Sequence, residues 1–395
     1  MPLSLCLACG ELGGVDVVLN VLLFLPLGIG LAMSGASRSR AIISMCLASL
    51  SIELLQLGVI PGRDASLGDV LSNSLGGALG VLLGGHLHHF LWPGQKAGMR
   101  LAAAWSAVWL LGTALACYAL VPLPTESAYY GQLARELGGK AAYPGRILSA
   151  RFANASFPDR EFSDPRSVAR ALRDGPDARA ELVVVEHRST RDLRAIARIA
   201  DADQNEILLL GASDADLTFG VRTYASALRF RPIRFRMRSV LPDSTQANTI
   251  ADTLRITAEY APPAARMSVG GGRGEHGVEF PVTSAQSWRA IAPSQVDIDG
   301  SLSGAALDAC WLFLVLLPLG YWTIAAAGTR HPFRPAALVI LLVTLSAGFC
   351  EGPLLFGLAA PRWWEIAGAV ASIVCGSSIA LVVARRRPRP ESRTA

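Results

Sequence analysis

Seven apolar runs, each long enough to cross a bilayer, leave this chain few ways to fold. They lie near residues 15–33, 41–60, 68–91, 100–121, 306–328, 334–357 and 363–384, and a helix needs about 20 residues per crossing. Hydrocarbon offers no water to the backbone, so runs of this length must satisfy their N–H and C=O groups internally, as helices do. Between the fourth and fifth runs lies a polar stretch, 122–305, of ordinary globular composition. The expected fold class is a multi-pass α-helical membrane bundle of about seven helices plus an extracytoplasmic all-β sandwich. The expected organisation is a four-helix membrane domain at 1–121, a helical or irregular neck at 122–145, a sandwich at 146–305, a three-helix block at 306–384 and a basic tail at 385–395.

Flanking charge orients the helices. Arg38 and Arg40 follow the first run, Lys96 and Arg100 the third, Arg330 and Arg334 the fifth, and Arg385, Arg386, Arg387 and Arg389 the last. With seven alternating crossings all of these fall on one side. The positive-inside rule makes that side cytoplasmic. The expected location is a plasma (inner) membrane, with the C-terminus inside and both the N-terminus and 122–305 outside. The formal charge of +5 belongs to these flanks. No basic and aromatic stripe accompanies it, so membrane lipids, and not nucleic acid, are the expected partners.

The opening MPLSLCLACGELGG lacks a basic n-region and a normal apolar h-region, so no cleavable signal is expected. Cys6 and Cys9 read either as a strained disulfide or as two small apolar residues at a helix entrance. Cys46, Cys117, Cys310, Cys350 and Cys375 read as packing, and His86, His88 and His89 as an interfacial basic patch.

Polar residues interrupt the first three runs in a set order. Asp16 and Asn20 precede Pro26-Leu27-Gly28; Glu53 and Gln56 follow; then come Arg63 and Asp64, and finally Asp69 and Asn73. An ionisable group at mid-bilayer costs about 2.5–3.5 kcal/mol on insertion scales, so such residues need partners and usually a task. Asp16 and Asn20, like Asp69 and Asn73, are four residues apart; Glu53 and Gln56 are three apart. Each pair therefore shares a helical face, and with alternating helices all three pairs fall at the same, outer, end. Two readings stay open. The residues bind one another and hold the helices together, or Arg63 recognises a phosphate or carboxylate while Glu53 or Asp69 handles a proton or polar headgroup.

The order D-x3-N-x5-PLG, S-x-E-x2-Q and GRD-x4-D-x3-N-x2-G resembles the VanZ-like membrane family over about residues 10–92. The resemblance implies a small polytopic bacterial protein of undefined biochemical activity. Its founding member is associated with low-level resistance to the glycopeptide teicoplanin. An additional leading helix common in such proteins is not expected here.

The last three runs repeat the first three. Asp308 falls where Asp16 does, Pro318-Leu319-Gly320 where Pro26-Leu27-Gly28 do, Glu351 against Gln56, Glu365 against Asp69 and Gly376 against Gly80. This is a parallel repeat about an axis along the membrane normal. The second copy lacks counterparts of Asn20, Glu53 and Asn73, so chemistry is expected in the first, with Glu351 and Glu365 at most completing a shared cleft.

In the polar stretch, AELVVVEHR, LRAIARIAD, EILLLG, DLTFGVRT, RPIRFRMR, TLRITAEY and ARMSVGG read as strands, and Asp201 to Asn205 as a hairpin turn. The run from Leu193 resembles a laminin-G-like or concanavalin-like jelly roll, which implies a glycan-binding module, sometimes with calcium. Asp201, Asp203, Asp214 and Asp216 could supply oxygen ligands, although turn-forming aspartates are the simpler account. No cofactor and no other metal is expected.

The combined expectation is recognition of an envelope glycan or lipid-linked precursor at the outer leaflet, with an effect on glycopeptide susceptibility implied by the resemblance. A membrane enzyme acting on a phospholipid or polyprenyl-linked headgroup is one alternative, without a visible nucleophile constellation. A small-solute transporter is the other.

Overall fold

The computed structural model describes residues 10–59, 66–123, 128–134, 142–153, 155–157, 161–174, 179–185, 192–241, 253–272, 274–327 and 334–385. Its helices are α1 (Gly13–Met33), α2 (Arg38–Val59), α3 (Leu67–Gly85), α4 (Leu87–Leu91), α5 (Gln95–Leu120), α6 (Pro165–Asp174), α7 (Tyr224–Ala227), α8 (Leu302–Ala327), α9 (Arg334–Leu345), α10 (Gly352–Leu355) and α11 (Trp363–Arg385). Seven helices are long and apolar enough to span a membrane, α9 and α10 counting as one span, Pro335–Leu355, joined by a π-helical turn at Ser346–Glu351. Only 17–39 % of each span is buried against the rest of the protein. Side chains such as Leu23, Leu47, Leu111, Leu342 and Val374 point outward, which hydrocarbon alone accommodates without cost. The chain is a multi-pass membrane protein.

Small residues set the helix pairing. A Cβ on Gly76 would collide with the Val21 carbonyl, and one on Gly80 with the Leu25 carbonyl, so α1 and α3 touch backbone to backbone and run parallel. Helix α2 returns antiparallel, with Met45 lying on Gly77 and Ser49 Oγ donating to the Val70 carbonyl at 3.3 Å. Helices α8 and α11 repeat this contact position by position. Ser372 takes the place of Gly76 and donates to the Phe313 carbonyl at 2.6 Å. Gly376 backs onto the Leu317 carbonyl, as Gly80 does onto Leu25, and Gly320 onto Ile373, as Gly28 does onto Gly77. The repeat read from the sequence is thus built into the helix interfaces. Helix α5 packs on the second copy, with Trp105 Nε1 donating to the Val315 carbonyl at 2.8 Å.

Two antiparallel sheets form the sandwich. One has the order β1 (Tyr129–Leu133), β5 (Arg194–Asp201), β6 (Glu206–Ser213), β7 (Asp216–Val221), β8 (Ile233–Met237). The other runs β11 (Gly274–Pro281), β10 (Ala264–Gly271), β9 (Thr253–Ala261), β4 (Arg179–Val185), β2 (Ile147–Phe152), β3 (Ala155–Ser156). Strands β4 to β10 match the seven predicted runs. Strand β1 lies in the segment expected to be a helical or irregular neck. It is extended because Tyr129 and Gly131 face inward and its backbone pairs with β5, Tyr129 opposite Asp201. The core between the sheets includes Phe152, Ile199, Leu208, Phe219, Phe235, Ile256 and Phe280, and it continues without a break into Cys117 and Leu120 of α5 and into Leu358. A buried Tyr260 hydroxyl donates to the Leu120 carbonyl at 3.3 Å. The sandwich is therefore anchored on the bundle by shared core.

Candidate functional site

Among the described residues, the hydrogen bonds and ring contacts that tie the sandwich to the membrane helices fall at one end of the bundle. Gly14 N–H at the start of α1 donates to the Arg229 carbonyl at 3.2 Å. Tyr118 near the end of α5 stacks on Tyr224 at 4.4 Å, and the starts of α8 and α11 bond to Ser284–Ile291, a 3-10 segment that follows β11, and to Thr283 before it. Because α3 is parallel to α1, its polar start lies at this same end.

There the first copy links three of its expected residues, Asn20, Asp69 and Glu53. Asn20 Nδ2 donates to Asp69 Oδ1 at 2.8 Å across α1 and α3. Glu53 is buried and its Oε2 accepts from Ser66 N–H at 3.2 Å. Ser66 in turn caps α3, its hydroxyl accepting from Asp69 N–H at 3.1 Å. Asn73 is 4 % exposed, and its Oδ1 has no hydrogen-bond partner among the described residues. Asp16 is exposed one turn above Asn20, and Gln56 is half-buried on α2. Arg63, Asp64, Cys6 and Cys9 lie outside the described residues.

The second copy treats its acids differently. Asp308 and Arg289 are each only 3 % exposed and form a salt bridge. Trp288 Nε1 adds a donor to the same Asp308 carboxylate at 2.9 Å. Glu365, fully buried, accepts from the Thr283 hydroxyl at 2.6 Å and from the Arg362 N–H at 2.9 Å. Asn20, Glu53 and Asn73 are replaced by Leu312, Gly348 and Ala369, and Trp109 of α5 presses on Gly348. Leu312, Ala369, Trp109 and Phe349 form one apolar cluster. Glu365 is thus committed to the sandwich's exit segment and does not complete a shared cleft, and Glu351 is exposed. Sequence reasoning missed Thr283, Trp288 and Arg289, which carried no signal beyond lying shortly before the fifth span.

On the sandwich, Asp201 and Asp203 lie at one end of β6 and Asp214 and Asp216 at the other, so they do not converge. Asp201 is buried and saturated: it accepts from the N–H groups of Asp203 and Asn205, from the Asn205 amide and from Arg222 at 2.9 Å. Asp216 accepts from Ser239 N–H. Among the described residues no group of three metal-ligating side chains converges. The outer face of the five-stranded sheet carries a row the sequence reading did not single out. Arg198, Arg234 and Arg236 lie over it with Gln132, Glu206 and Asp297, and Arg198 donates to Gln132 at 3.0 Å while Arg236 pairs with Asp297 at 3.0 Å. The signal was the alternation Arg234, Arg236, Arg238 around buried Phe235 and Met237.

Residues 4–87 match the family model described as VanZ/LLP1. The first membrane block is VanZ-like. The match ends before α5 and includes neither the sandwich nor the second copy. No curated protein and no solved structure matches the chain.

Proposed function

We propose that this protein recognises the polar headgroup of an envelope glycan or lipid-linked precursor where the sandwich meets the VanZ-like block, on the extracytoplasmic side of a bacterial inner membrane. One observation carries the reading. Of two copies of the same three-helix unit, the second has Asp308 and Glu365 buried and capped by the sandwich's exit segment, while the first keeps Asp16, Asn20, Glu53, Asp69 and Asn73 at the sandwich-side end. A carboxylate is a costly way to join helices, and the second copy shows that the fold can be built with Leu312, Gly348 and Ala369 in place of three of these polar groups. Arg63 and Asp64, which fall between α2 and α3 in the sequence, are part of the same reading. Sugar contact on the arginine-bearing sheet face is part of the proposal, supported by amide, guanidinium and carboxylate groups lying side by side there.

The test compares envelope lipids and cell-wall precursors, and susceptibility to a glycopeptide, in a deletion strain complemented with wild type, Glu53→Gln or Arg63→Ala. Accumulation of one precursor on deletion, unrelieved by either membrane-inserted variant, is the expected result. Full restoration by both variants would make these residues structural and sink the proposal. A cysteine placed at exposed Asp203 should react with an impermeant maleimide from outside intact cells; labelling only after lysis would reverse the orientation.

A further inference from the structure

Where the sandwich rests on the bundle, the two leave a half-open cavity of about 340 Å³ between them, a size at which small-molecule sites begin. Its walls come from three parts of the chain. Val121 follows the end of α5, Phe356 and Leu358 follow the end of α10, and the sandwich supplies Tyr224, Tyr260 and Pro262. Chain reversals meet here: Gly357, at a φ of +71°, turns the segment after α10, and Pro262 lies between β9 and β10. The walls are fixed. Tyr260 donates to the Leu120 carbonyl at 3.3 Å, Tyr224 N–H to the Val121 carbonyl at 3.1 Å and Leu358 N–H to the Pro353 carbonyl at 2.9 Å.

Three observations bear on what such a preformed space holds. No charged side chain is among the described residues that line it, so an ionised group entering it would lose hydration without a counter-charge. The cavity also stands at headgroup depth. It lies just beyond the ends of two spans, Gln95–Leu120 and Pro335–Leu355, at the end of the bundle where Tyr118 and Trp363 are exposed, and exposed aromatic rings of this kind gather at a membrane surface. Finally, its wall runs on into lipid-facing side chains. Tyr224 stacks on Tyr118 at 4.4 Å, and Leu355, the residue before Phe356, is 84 % exposed.

We infer that this cavity takes the hydrocarbon chain of a lipid from the sandwich-side leaflet, entering past Leu355 and Tyr118. The chain would bury apolar surface against Val121, Pro262, Phe356, Leu358 and the two tyrosine rings, while the lipid's charged headgroup stays outside. The site shares no residue with the polar end of the first copy and stands without the headgroup reading above.

The test uses the full chain in nanodiscs doped with phosphatidylcholine that carries a diazirine either at the end of one acyl chain or on the headgroup. After irradiation, adducts are mapped by peptide mass spectrometry. The expected result is labelling of the peptides bearing Tyr224 and Tyr260 by the chain-end probe and not by the headgroup probe. Val121→Trp and Phe356→Trp each fill the space from a different wall and should lower that labelling at least about tenfold, since excluding two methylenes from burial is already worth that much. Leu342→Trp, on an exposed position within a span, should leave it unchanged. Thermal unfolding checks that the variants fold, and the comparison of the two probes on the wild type decides the matter even if neither filling variant does. Chain-end adducts confined to the spans would overturn the inference. So would labelling of the cavity by the headgroup probe instead, or chain-end labelling that a folded filling variant leaves intact.

Discussion

Substituting Asp308 by alanine should cost far more than the same change at its repeat partner Asp16. Asp308 and Arg289 are each 3 % exposed, and truncating one partner of a buried ion pair leaves the other charge uncompensated, at about 3–5 kcal/mol. For a domain of 150–250 residues that lowers Tm by roughly 6–20 °C. The Trp288 N–H loses its acceptor at the same time. Asp16 is exposed and uncapped, so Asp16→Ala should stay within about 0.5 kcal/mol. The double change Asp308→Leu with Arg289→Met removes both charges and should recover most of the loss, since well-packed apolar replacements of a buried pair are often neutral or better. The assay is thermal unfolding of the full chain in nanodiscs for the wild type, both single variants and the double. Equal, small effects at Asp308 and Asp16 would refute the claim that the sandwich's exit segment caps only one copy. So would a double variant as weak as the sum of its parts.

Three further outcomes follow from the packing and charge. Gly80→Val and Gly376→Val each drive a side chain into a neighbouring helix carbonyl and should each lower stability by at least about 1–3 kcal/mol; tolerance at one site alone would break the equivalence of the two interfaces. Burial raises the Asp299 carboxyl, but the Ser301 hydroxyl and N–H, and then Arg238, outweigh it, so the group titrates below its usual range. Its stabilising contribution is therefore full above the unfolded value of about 4 and fades as pH falls through the folded one. Asp299→Asn should flatten the Tm profile over that acid range, and an unchanged profile would contradict this assignment. Because Asp201 is saturated by Arg222 and its own turn, adding or chelating calcium should shift Tm by less than about 1 °C; a larger shift would point to a metal site.

What the sequence makes legible is what local pattern encodes. Membrane spans declare themselves by length and apolarity, and β4 to β10 by alternation between turn residues. Helix α6 lies inside the stretch expected to be all-β; its signal was Asp164, whose carboxylate accepts from the N–H groups of Arg166 and Ser167, and Pro165 at the first helical position. Edge strand β11 was not, because Gly274 to Pro281 has a largely exposed face and no apolar alternation. The third apolar run was expected to span 68–91, but α3 stops at Gly85 and α4 begins beyond His86, where His86 Nδ1 lies 3.3 Å from Arg38. Helical spacing puts Asn20 and Asp69 at the same end of the helices, and the packing of α1 on α3 is what joins them. Nothing local tied Thr283 to Glu365, 82 residues away. Only the tertiary fold makes that contact, and with it the difference between the two copies.

That difference contains an exchange that can itself be tested. Ser66 and Arg362 are equivalent residues at the entrance of the third helix of each copy, and each N–H donates to a carboxylate, though not from the same place. In the first copy the acceptor is Glu53 of α2, at 3.2 Å; in the second it is Glu365, three residues along on α11, at 2.9 Å. Glu53 has become Gly348 in the second copy, where Trp109 fills its space, and the acid equivalent to Asp69 is one methylene longer, enough to fold back on its own helix start. An orphan donor at this depth costs about 1–3 kcal/mol, so one acid per copy has to reach it. Glu53→Ala should therefore destabilise the VanZ-like block by about that amount, and adding Asp69→Glu should restore most of it by supplying the second copy's solution. Stability would return while the Asn20 to Asp69 contact is lost, so the rescued protein should insert normally yet fail to complement. A double variant no more stable than Glu53→Ala alone would show that the two acids do not share this task.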